Sequence, residues 1–208
     1  YRPVGIILSN INKKEIKQNI ILDAAYEVFV GKGYSDTTMD DIAKKSNMSK
    51  GAIYHYYSSK KSLFLALIDH WETYSFPDFY TKNKKNKSAS EILKDIADVV
   101  YDVFKKKKHV FLAEIEFWSL ANKDDDVKEK SKILYNKLLY LFELILKKGI
   151  REKEFRDVDT KIISMNILTS LQGVNWFCLF DDSELDAQLY LNTSMELLTN
   201  SLKRNNDE

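Results

Sequence analysis

The chain has 208 residues, of which 44% are hydrophobic and 30% are charged, so it is long enough to bury one or two hydrophobic cores. Two prolines and six glycines, set against many Leu, Ile, Lys and Glu, favour helices and argue against a turn-rich β fold. The net charge of +1, from 32 basic and 31 acidic residues, excludes a uniformly basic protein. Any surface for an acidic partner must therefore be local.

Cysteine usage and hydropathy limit the compartment in which the chain works. Cys178 is its one cysteine, which excludes an internal disulfide and a multi-cysteine metal site and fits a reducing cytoplasm. Uninterrupted apolar stretches fall short of the roughly 20 residues that span a membrane. Residues 1–12 contain a short apolar run without a small-residue cleavage site, so we expect a flexible tail there and not a signal peptide.

The first predicted helix covers residues 13–32. Apolar residues recur there in pairs four positions apart, which indicates one buried helix face. The pairs are Ile20 with Ile21, Ala24 with Ala25, and Val28 with Phe29. Gly31 and Gly33 then supply the left-handed residue that commonly ends a helix.

Two short helices follow. The hydroxyl of Thr38 is placed to cap the second helix, with Asp41 three positions later where an acid reaches back to the cap. Ser49 is placed to cap a third helix over residues 50–56. Two short helices joined by a tight turn form a helix-turn-helix, whose second helix lies in the major groove of DNA.

The third helix has an inner and an outer face. Ile53 and Tyr57 are four positions apart and are expected to point inward, whereas Lys50 and Tyr54 share another face with His55 beside them. Phenol, imidazole and ammonium groups all bind phosphate, so this outer face is predicted to contact DNA. An ordinary amphipathic surface is the alternative explanation for Tyr54 and His55.

Further DNA contacts are predicted around this helix. Glycine costs about 1 kcal/mol in a helix interior relative to alanine, so Gly51 indicates close approach of the backbone to another molecule. The amino ends of neighbouring helices offer amides to phosphate. The full predicted set is Thr37, Thr38, Ser49, Lys50, Gly51, Tyr54, His55 and Lys60.

The rest of the chain is also predicted to be helical. A connecting helix covers residues 59–73 and ends before Pro77, because proline disfavours helical geometry in the preceding residue. Residues 81–90 are polar and lysine-rich, as in a surface linker. Five longer helices are expected at 91–106, 110–121, 127–148, 160–180 and 185–202. The predicted domains are a tail (1–12), a DNA-binding domain (13–58), a connecting helix (59–76) and a ligand-binding and dimerisation domain (77–208).

Residues 16–64 resemble the DNA-binding domain of the TetR family of bacterial transcriptional regulators. The resemblance lies in "AAYEVFVGKGY", in "TTMDDIAKKSNMSKGAIYHYYSSKKSL" and in the gaps between them. It implies a reader helix at residues 50–56, phosphate contacts from Tyr54 and Lys60 and from Thr37 or Thr38, and an all-α ligand-binding and dimerisation domain behind them. Many relatives have Phe at the position of Tyr57, whose hydroxyl here needs a partner or an outlet to water.

The last two predicted helices carry more apolar faces than one chain can cover. Residues 160–180 are apolar all round, which predicts burial on every side, and residues 185–202 add further leucines. The resemblance implies that these helices pair across a twofold axis as a four-helix bundle. Interface candidates are Ile162, Leu168, Leu171, Leu189 and Met195. A fully internal helix of a larger core is the alternative.

A small-molecule cavity is predicted in the second domain, since aromatic walls with a few polar groups are what an apolar ligand needs. Its candidate residues are Tyr101, Phe104, Phe111, Glu114, Trp118, Tyr140, Gln172, Asn175 and Trp176. Aromatic residues at helical spacing also occur in plain cores, which is the alternative. Burial of Glu114 among the rings would favour a cationic ligand.

An enzyme is the first rival class. His55, His70 and His109 are scattered, no catalytic or phosphate-loop motif occurs, and the run from Asp124 to Asp126 lacks calcium-loop spacing and is expected to cap the next helix. No cofactor or metal is expected. The sequence therefore predicts a dimeric repressor released from a palindromic DNA operator by a small hydrophobic effector. A helical DNA-binding protein without an effector is the second alternative.

Overall fold

The computed structural model describes residues 4–75, 87–180 and 183–204, with the side chains of residues 4–12 and 73–75 outside that description. Helices account for nearly all of it, and its only β feature is one antiparallel bridge between Phe155 and Lys203. The all-α prediction is thus confirmed. The helices are α1 (Val4–Asp36), α2 (Met39–Ser46), α3 (Lys50–Tyr56), α4 (Lys60–Ser75), α5 (Ala89–Lys106), α6 (Lys108–Ala121), α7 (Asp125–Arg151), α8 (Thr160–Gln172), α9 (Val174–Leu179) and α10 (Glu184–Leu202).

Helices α1 to α3 form the predicted helix-turn-helix unit. Gly33 has a φ of 78°, so the backbone turns there as expected before α2 begins. The Thr38 hydroxyl accepts a hydrogen bond from the Asp41 amide at 3.2 Å, and the Asp41 carboxylate accepts one from the Thr38 amide at 3.0 Å. This reciprocal capping box fixes the start of α2. Asn47, in the left-handed region, closes α2 and allows the tight turn into α3.

Helix α4 joins the helix-turn-helix to the larger domain through one continuous core. Leu63, Phe64, Leu67 and Ile68 are buried against α1, and the same cluster includes Phe117 of α6. The buried Tyr26 hydroxyl of α1 donates to the Leu67 carbonyl oxygen at 2.8 Å. Because these residues pack in one cluster, a shift of the larger domain is felt at the base of the reader unit.

The second core lies among α5, α7, α8 and α10. Seven buried residues of α5 face inward, and the capping box of Ser88 and Glu91 starts that helix. The Asp124 carboxylate caps α7 by accepting from the amides of Asp126 and Val127, which confirms the capping predicted for this acidic run. The larger domain is therefore a layered helical bundle.

Some boundaries differ from the predictions. Helix α1 begins at Val4, inside the segment predicted to be a tail. Helix α5 begins at Ala89, inside the predicted linker, because Ser88 supplies the cap. Residues 81–86 of that linker and Pro77 lie outside the described residues. The proposed domain boundaries stay predictions.

One long predicted helix is two helices in the structure. Residues 160–180 were expected to be continuous, but the helix breaks at Gly173 between α8 and α9. The Tyr190 hydroxyl of α10 donates to the Ser170 carbonyl oxygen at 2.8 Å, and a Cβ at Gly173 would lie 2.0 Å from that hydroxyl oxygen. The aromatic side chain of α10 therefore occupies the space beside the break.

The prediction that these residues are buried on every side is wrong for the single chain. Ile162, Met165 and Trp176 are all exposed, because the inward face of α8 packs on α7 and α10 and that of α9 packs on α6 and α10. By length and composition the segment Thr160–Leu179 would also suit a membrane span. That is weak evidence, because apolar core helices of soluble proteins pass the same test.

Candidate DNA-reading surface and ligand cavity

The outer face of α3 is exposed as the sequence predicts. Ile53 is fully buried and fixes the orientation of the helix, which turns Lys50, Gly51, Tyr54 and His55 outward together. Tyr54 is 44% exposed, and the His55 ring packs edge-on against Tyr56. A Cβ placed on Gly51 would meet no atom within 4 Å. Nothing within the protein thus requires glycine at this position.

Three predicted DNA contacts already have partners within the chain. The Lys50 ammonium lies 2.8 Å from the Asp40 carboxylate, and this pairing raises the pKa of Lys50. Ser49 is exposed, and its hydroxyl accepts from the Ala52 amide at 3.2 Å. The hydroxyl of Thr38, also exposed, belongs to the capping box. These partners are solvated, so the groups remain accessible to a phosphate.

One predicted phosphate contact, Thr37, is corrected by the structure, and a second, Lys60, has partners within the chain. Thr37 is 1% exposed, and its hydroxyl donates to the Gly33 carbonyl oxygen at 2.7 Å, so the side chain closes α1 and does not face outward. The Lys60 ammonium donates to the carbonyl oxygens of Tyr34 and Ser35 at 2.6 and 3.0 Å. Lys60 therefore neutralises the carboxyl end of α1. These two bonds use two of the three N–H groups of the ammonium, so a contact of Lys60 with phosphate stays a prediction.

The departure at Tyr57 also has a structural explanation. Its ring is buried below α3, and Gln18 of α1 hydrogen-bonds its hydroxyl. Burial raises the pKa of Tyr57, and the bond to Gln18 partly offsets that rise. The extra hydroxyl of this tyrosine is therefore satisfied inside the fold.

A small cavity of about 50 Å³ lies between α4 and the larger domain. Carbon atoms dominate its wall, with two carboxylates and one amide among them. Its lining residues are Trp71, Glu72, Ile96, Val100, Phe111, Glu114, Leu138, Leu141, Phe142, Leu168, Leu171 and Gln172. Ligand sites for drug-sized molecules are usually about 300–1,000 Å³, so the cavity must expand to admit one.

Glu114 is the carboxyl group that α6 contributes to the cavity wall. It is 2% exposed, and its carboxylate accepts from the Tyr135 hydroxyl at 3.0 Å and from the amides of Gln172 at 2.8 Å and Asn175 at 3.3 Å. All three donors are neutral. Burial raises the pKa of Glu114, and these hydrogen bonds lower it by less. No positively charged side chain among the described residues therefore pairs with the Glu114 carboxylate.

The predicted ligand residues divide into three groups. Phe111, Glu114 and Gln172 line the cavity, and Asn175 supports it through Glu114. Phe104 and the half-buried Tyr101 belong to the core of the larger domain, away from the cavity wall. Trp118, Tyr140 and Trp176 are 38%, 59% and 67% exposed, so their assignment to the cavity is wrong. The Trp118 indole instead donates to the Tyr135 hydroxyl at the surface.

Sequence reasoning missed Glu72. Phe64 and Ile68 are buried at four-residue spacing on α4, and Glu72 continues that row into the cavity wall. An acidic residue that continues a row of apolar residues on one helix face was the sequence signal that could have identified Glu72. Trp71, beside Glu72, donates its indole N–H to the Val110 carbonyl oxygen at 3.0 Å and also lines the cavity.

The predicted interface residues also divide. Ile162 and Leu189 are 60% and 63% exposed, as a partner surface requires. Leu168, Leu171 and Met195 are buried inside the chain, so placing them at an interface is corrected. Other apolar residues exposed on α8 to α10, or directly after α9, are Met165, Leu179, Phe180, Leu185 and Leu197. Isolated surface leucines are ordinary, but this set occupies the last three helices.

Two family models match nearly the whole chain. The model for bacterial regulatory proteins of the tetR family matches residues 21–67, and the model for the C-terminal region of QacR-like protein matches residues 72–204. The chain belongs to the TetR family. Members of this family are DNA-binding transcriptional regulators, and α2 and α3 both lie within the residues that the tetR-family model matches.

Curated relatives and solved structures agree with that TetR assignment. The HTH-type transcriptional regulator YfiR of Bacillus subtilis is 26% identical over 88% of this chain and 94% of its own length. IcaR of Staphylococcus epidermidis, a negative transcriptional regulator of the biofilm operon icaADBC, is 32% identical over 40% of this chain and 45% of its length. The match to YuxN of B. subtilis, 30% identical over 41% of this chain, spans only 30% of that protein.

Two crystal structures show the same TetR fold. A TetR transcription regulator from Haloarcula marismortui superposes with a TM-score of 0.78 at 19% identity, over 91% of this chain and all of the other. The regulator FadR from B. subtilis, in complex with stearoyl-CoA, superposes with a TM-score of 0.76 at 20% identity, over 88% of this chain and 98% of the other. At these identities the likeness concerns the fold alone.

Proposed function

We propose that this TetR-family regulator is a cytoplasmic, non-catalytic homodimeric repressor that leaves its operator when a small molecule enters the cavity. The observation that carries the proposal is the position of Trp71. It belongs to the buried cluster that supports the helix-turn-helix, and it also lines the cavity. One side chain therefore belongs both to the cluster that supports the reader unit and to the wall of the cavity.

The repressor role is supported by a relative. IcaR, 45% of whose length aligns with this chain at 32% identity, is a negative regulator. A TetR-type dimer reads two half-sites about 34 Å apart, or a multiple of that distance, and so favours a pseudo-palindromic operator. Occupation of such a site blocks transcription.

The homodimer is supported by the exposed apolar side chains of α8, α9 and α10. Ile162 and Leu189 are more than half exposed, which is costly for residues of this size unless another surface covers them. A second copy of the same helices is a self-complementary partner, as a twofold interface requires. Helices α8 and α10 would then form a four-helix bundle with their copies.

A small, largely apolar effector is supported by the cavity wall. Phe111, Phe142 and Leu168 supply the apolar contacts, and the buried Glu114 favours a ligand with a positively charged or hydrogen-bond-donating group. Ligand binding releases DNA only if the ligand prefers the arrangement that binds DNA poorly. A coupling of about 1 to 3 kcal/mol would lower operator affinity roughly 5-fold to 150-fold.

The test begins with an operator selected from a library of random duplexes. Operator affinity is titrated with and without each compound of a panel of hydrophobic and cationic molecules, and compound affinity is titrated with and without operator. By thermodynamic linkage, the factor by which a compound lowers operator affinity must equal the factor by which the operator lowers affinity for that compound. Tyr54→Phe is the DNA-side control, because it removes one phosphate-binding hydroxyl from an exposed position without disturbing the core. If no duplex is preferred in the selection, the DNA-binding role is overturned. If no compound of the panel changes operator affinity, a regulator without an effector is favoured.

A further inference from the structure

Ion pairs at three positions of α4 tie this helix to α7 and its N-cap, and we call them the α4–α7 salt-bridge row. Going along α4, the pairs are Lys61 with Asp124 and Asp126, Asp69 with Lys130, and Glu72 with Lys137. Nitrogen-to-oxygen distances run from 2.5 to 2.8 Å. Both helices run in the same direction along this row, so the pairs succeed one another from the reader unit toward the cavity.

The pair at the cavity end differs from the others. In the first two pairs both partners are partly solvated, and exposed pairs contribute little to stability. The Glu72 side chain is only 4% exposed, whereas Lys137 is 57% exposed. The inner pair is thus a buried carboxylate reached by a lysine from the solvent side.

Glu72 has one oxygen without a partner. Its Oε2 atom lies 2.5 Å from the Lys137 ammonium, while its Oε1 atom is buried and accepts no hydrogen bond from the described residues. The same residue lines the cavity together with Glu114. A buried acceptor without a donor is costly, and such atoms are rare in folded proteins. The missing donor can arrive through the cavity.

We propose that Glu72 recognises a positively charged nitrogen of the effector and exchanges Lys137 for it. The inference rests on the proposed ligand response and assigns its specificity to α4. A cation fits better than a neutral donor because the cavity wall holds two carboxylates, of which Glu114 has only neutral partners. Lys137 is already half solvated, so its ammonium can return to water when it is displaced.

The exchange has a consequence for the reader unit. The pairs at Lys61 and Asp69 still hold the first part of α4, while its cavity end loses the tie to α7. Trp71, next to Glu72, contacts the Val110 carbonyl oxygen of α6 and moves with that end. The helix that supports the helix-turn-helix thereby changes its angle to the larger domain.

The experiment uses n-hexylamine as the probe and n-hexanol as its uncharged match. Binding to the full-length protein is followed by tryptophan fluorescence and calorimetry, and operator affinity is measured in parallel. Glu72→Gln should weaken hexylamine binding about tenfold or more, since hydrogen bonds to charged groups contribute most among polar contacts, and should abolish the effect of hexylamine on operator affinity. Asp69→Asn is the matched control, because it breaks an exposed pair of the same row and should leave hexylamine binding unchanged.

Lys137→Met provides a second, independent readout. The substitution leaves the buried Glu72 carboxylate without its cation, so the variant should melt at a lower temperature than the wild type. Hexylamine should raise its melting temperature more than that of the wild type, and hexanol should not. Equal hexylamine affinity in wild type and Glu72→Gln, or no hexylamine binding to either, would overturn the assignment. If another compound still releases the operator equally from wild type and Glu72→Gln, the regulatory function stands and only the role of Glu72 fails.

Discussion

Single residues in this protein carry charge into places that are otherwise apolar. Glu114 is held by three neutral donors, and Glu72 by one lysine that reaches in from the surface. Both carboxylates are nearly inaccessible to solvent. Such groups cost stability unless they are compensated, and this cost is what makes them candidates for ligand recognition.

The first prediction concerns pH and Glu114. Burial raises the pKa of Glu114 in the folded state, so the native protein keeps a proton that the unfolded chain releases above about pH 4.3. The free energy of unfolding should therefore fall as pH rises from about 4.3 through the raised pKa. Glu114→Gln should remove this slope, which urea unfolding at several pH values measures. Its new amide can donate to the Asn175 Oδ1 atom, which has no donor among the described residues.

Glutamate 91 serves as the control for that measurement. It caps α5 at an exposed position, so Glu91→Gln should leave the fall in unfolding free energy above about pH 4.3 in place. A slope that persists in Glu114→Gln would mean that another group titrates in this range.

The second prediction concerns Gly51 in the reader helix. A Cβ at this position meets no atom of the protein, so Gly51→Ala should raise the free energy of unfolding by up to about 1 kcal/mol through helix propensity. The same methyl group should weaken operator binding, because the exposed backbone of α3 is proposed to approach DNA closely. Urea unfolding and fluorescence anisotropy with the selected operator measure the two effects. Unchanged or tighter operator binding would contradict the close approach.

At the scale of elements, the sequence predicted what local chemistry dictates. The capping box of Thr38 and Asp41 and the Ser49 cap are visible in a few letters, and both are present. The break at Gly173 was missed because its cause is Tyr190, which is 17 residues away on another helix. Interior positions such as Leu168 were assigned to the interface because an apolar residue does not reveal which of two surfaces covers it.

Some predicted cavity residues line the cavity and others do not, again because tertiary packing decides which side chains are covered. Aromatic spacing alone did not separate Phe111, which lines the cavity, from Trp118, which lies at the surface. Both are on α6, seven positions apart, and the difference depends on how α4 and α7 pack around that helix. Tertiary packing of this kind is not encoded in one helical period.

The third prediction concerns the contact at that helix break. In Gly173→Ala the new Cβ would lie 2.5 Å from the Tyr190 Cζ atom, which the bond to Ser170 holds in place. Overpacking of this kind costs about 1–3 kcal/mol of unfolding free energy. Gly173→Ala should then lower the free energy of unfolding much less in a chain that already carries Tyr190→Ala than in the wild type. A full double-mutant cycle by urea unfolding measures the difference.

At the scale of the whole molecule, two cores meet at α4, α6 and α7. The cluster under the helix-turn-helix includes Val110 and Phe117 of α6 and Leu134 of α7, and the second cluster fills the larger domain. The cavity lies where these clusters approach each other. The reader unit therefore shares one hydrophobic cluster with residues of α6 and α7.

The last prediction concerns the proposed dimer and its effect on DNA binding. Ile162 and Leu189 are exposed in the single chain, so Ile162→Glu together with Leu189→Glu should leave the fold intact and yield monomers in sedimentation. Ile133→Glu is the matched control, because Ile133 is equally exposed but lies on α7 outside the proposed interface. A monomer occupies one half-site at a time and loses the advantage of binding both together. Operator affinity should therefore fall by about 100-fold or more in the double variant and stay near the wild-type value in the control. A wild-type monomer at micromolar concentration, or a double variant that still dimerises, would rule out this surface.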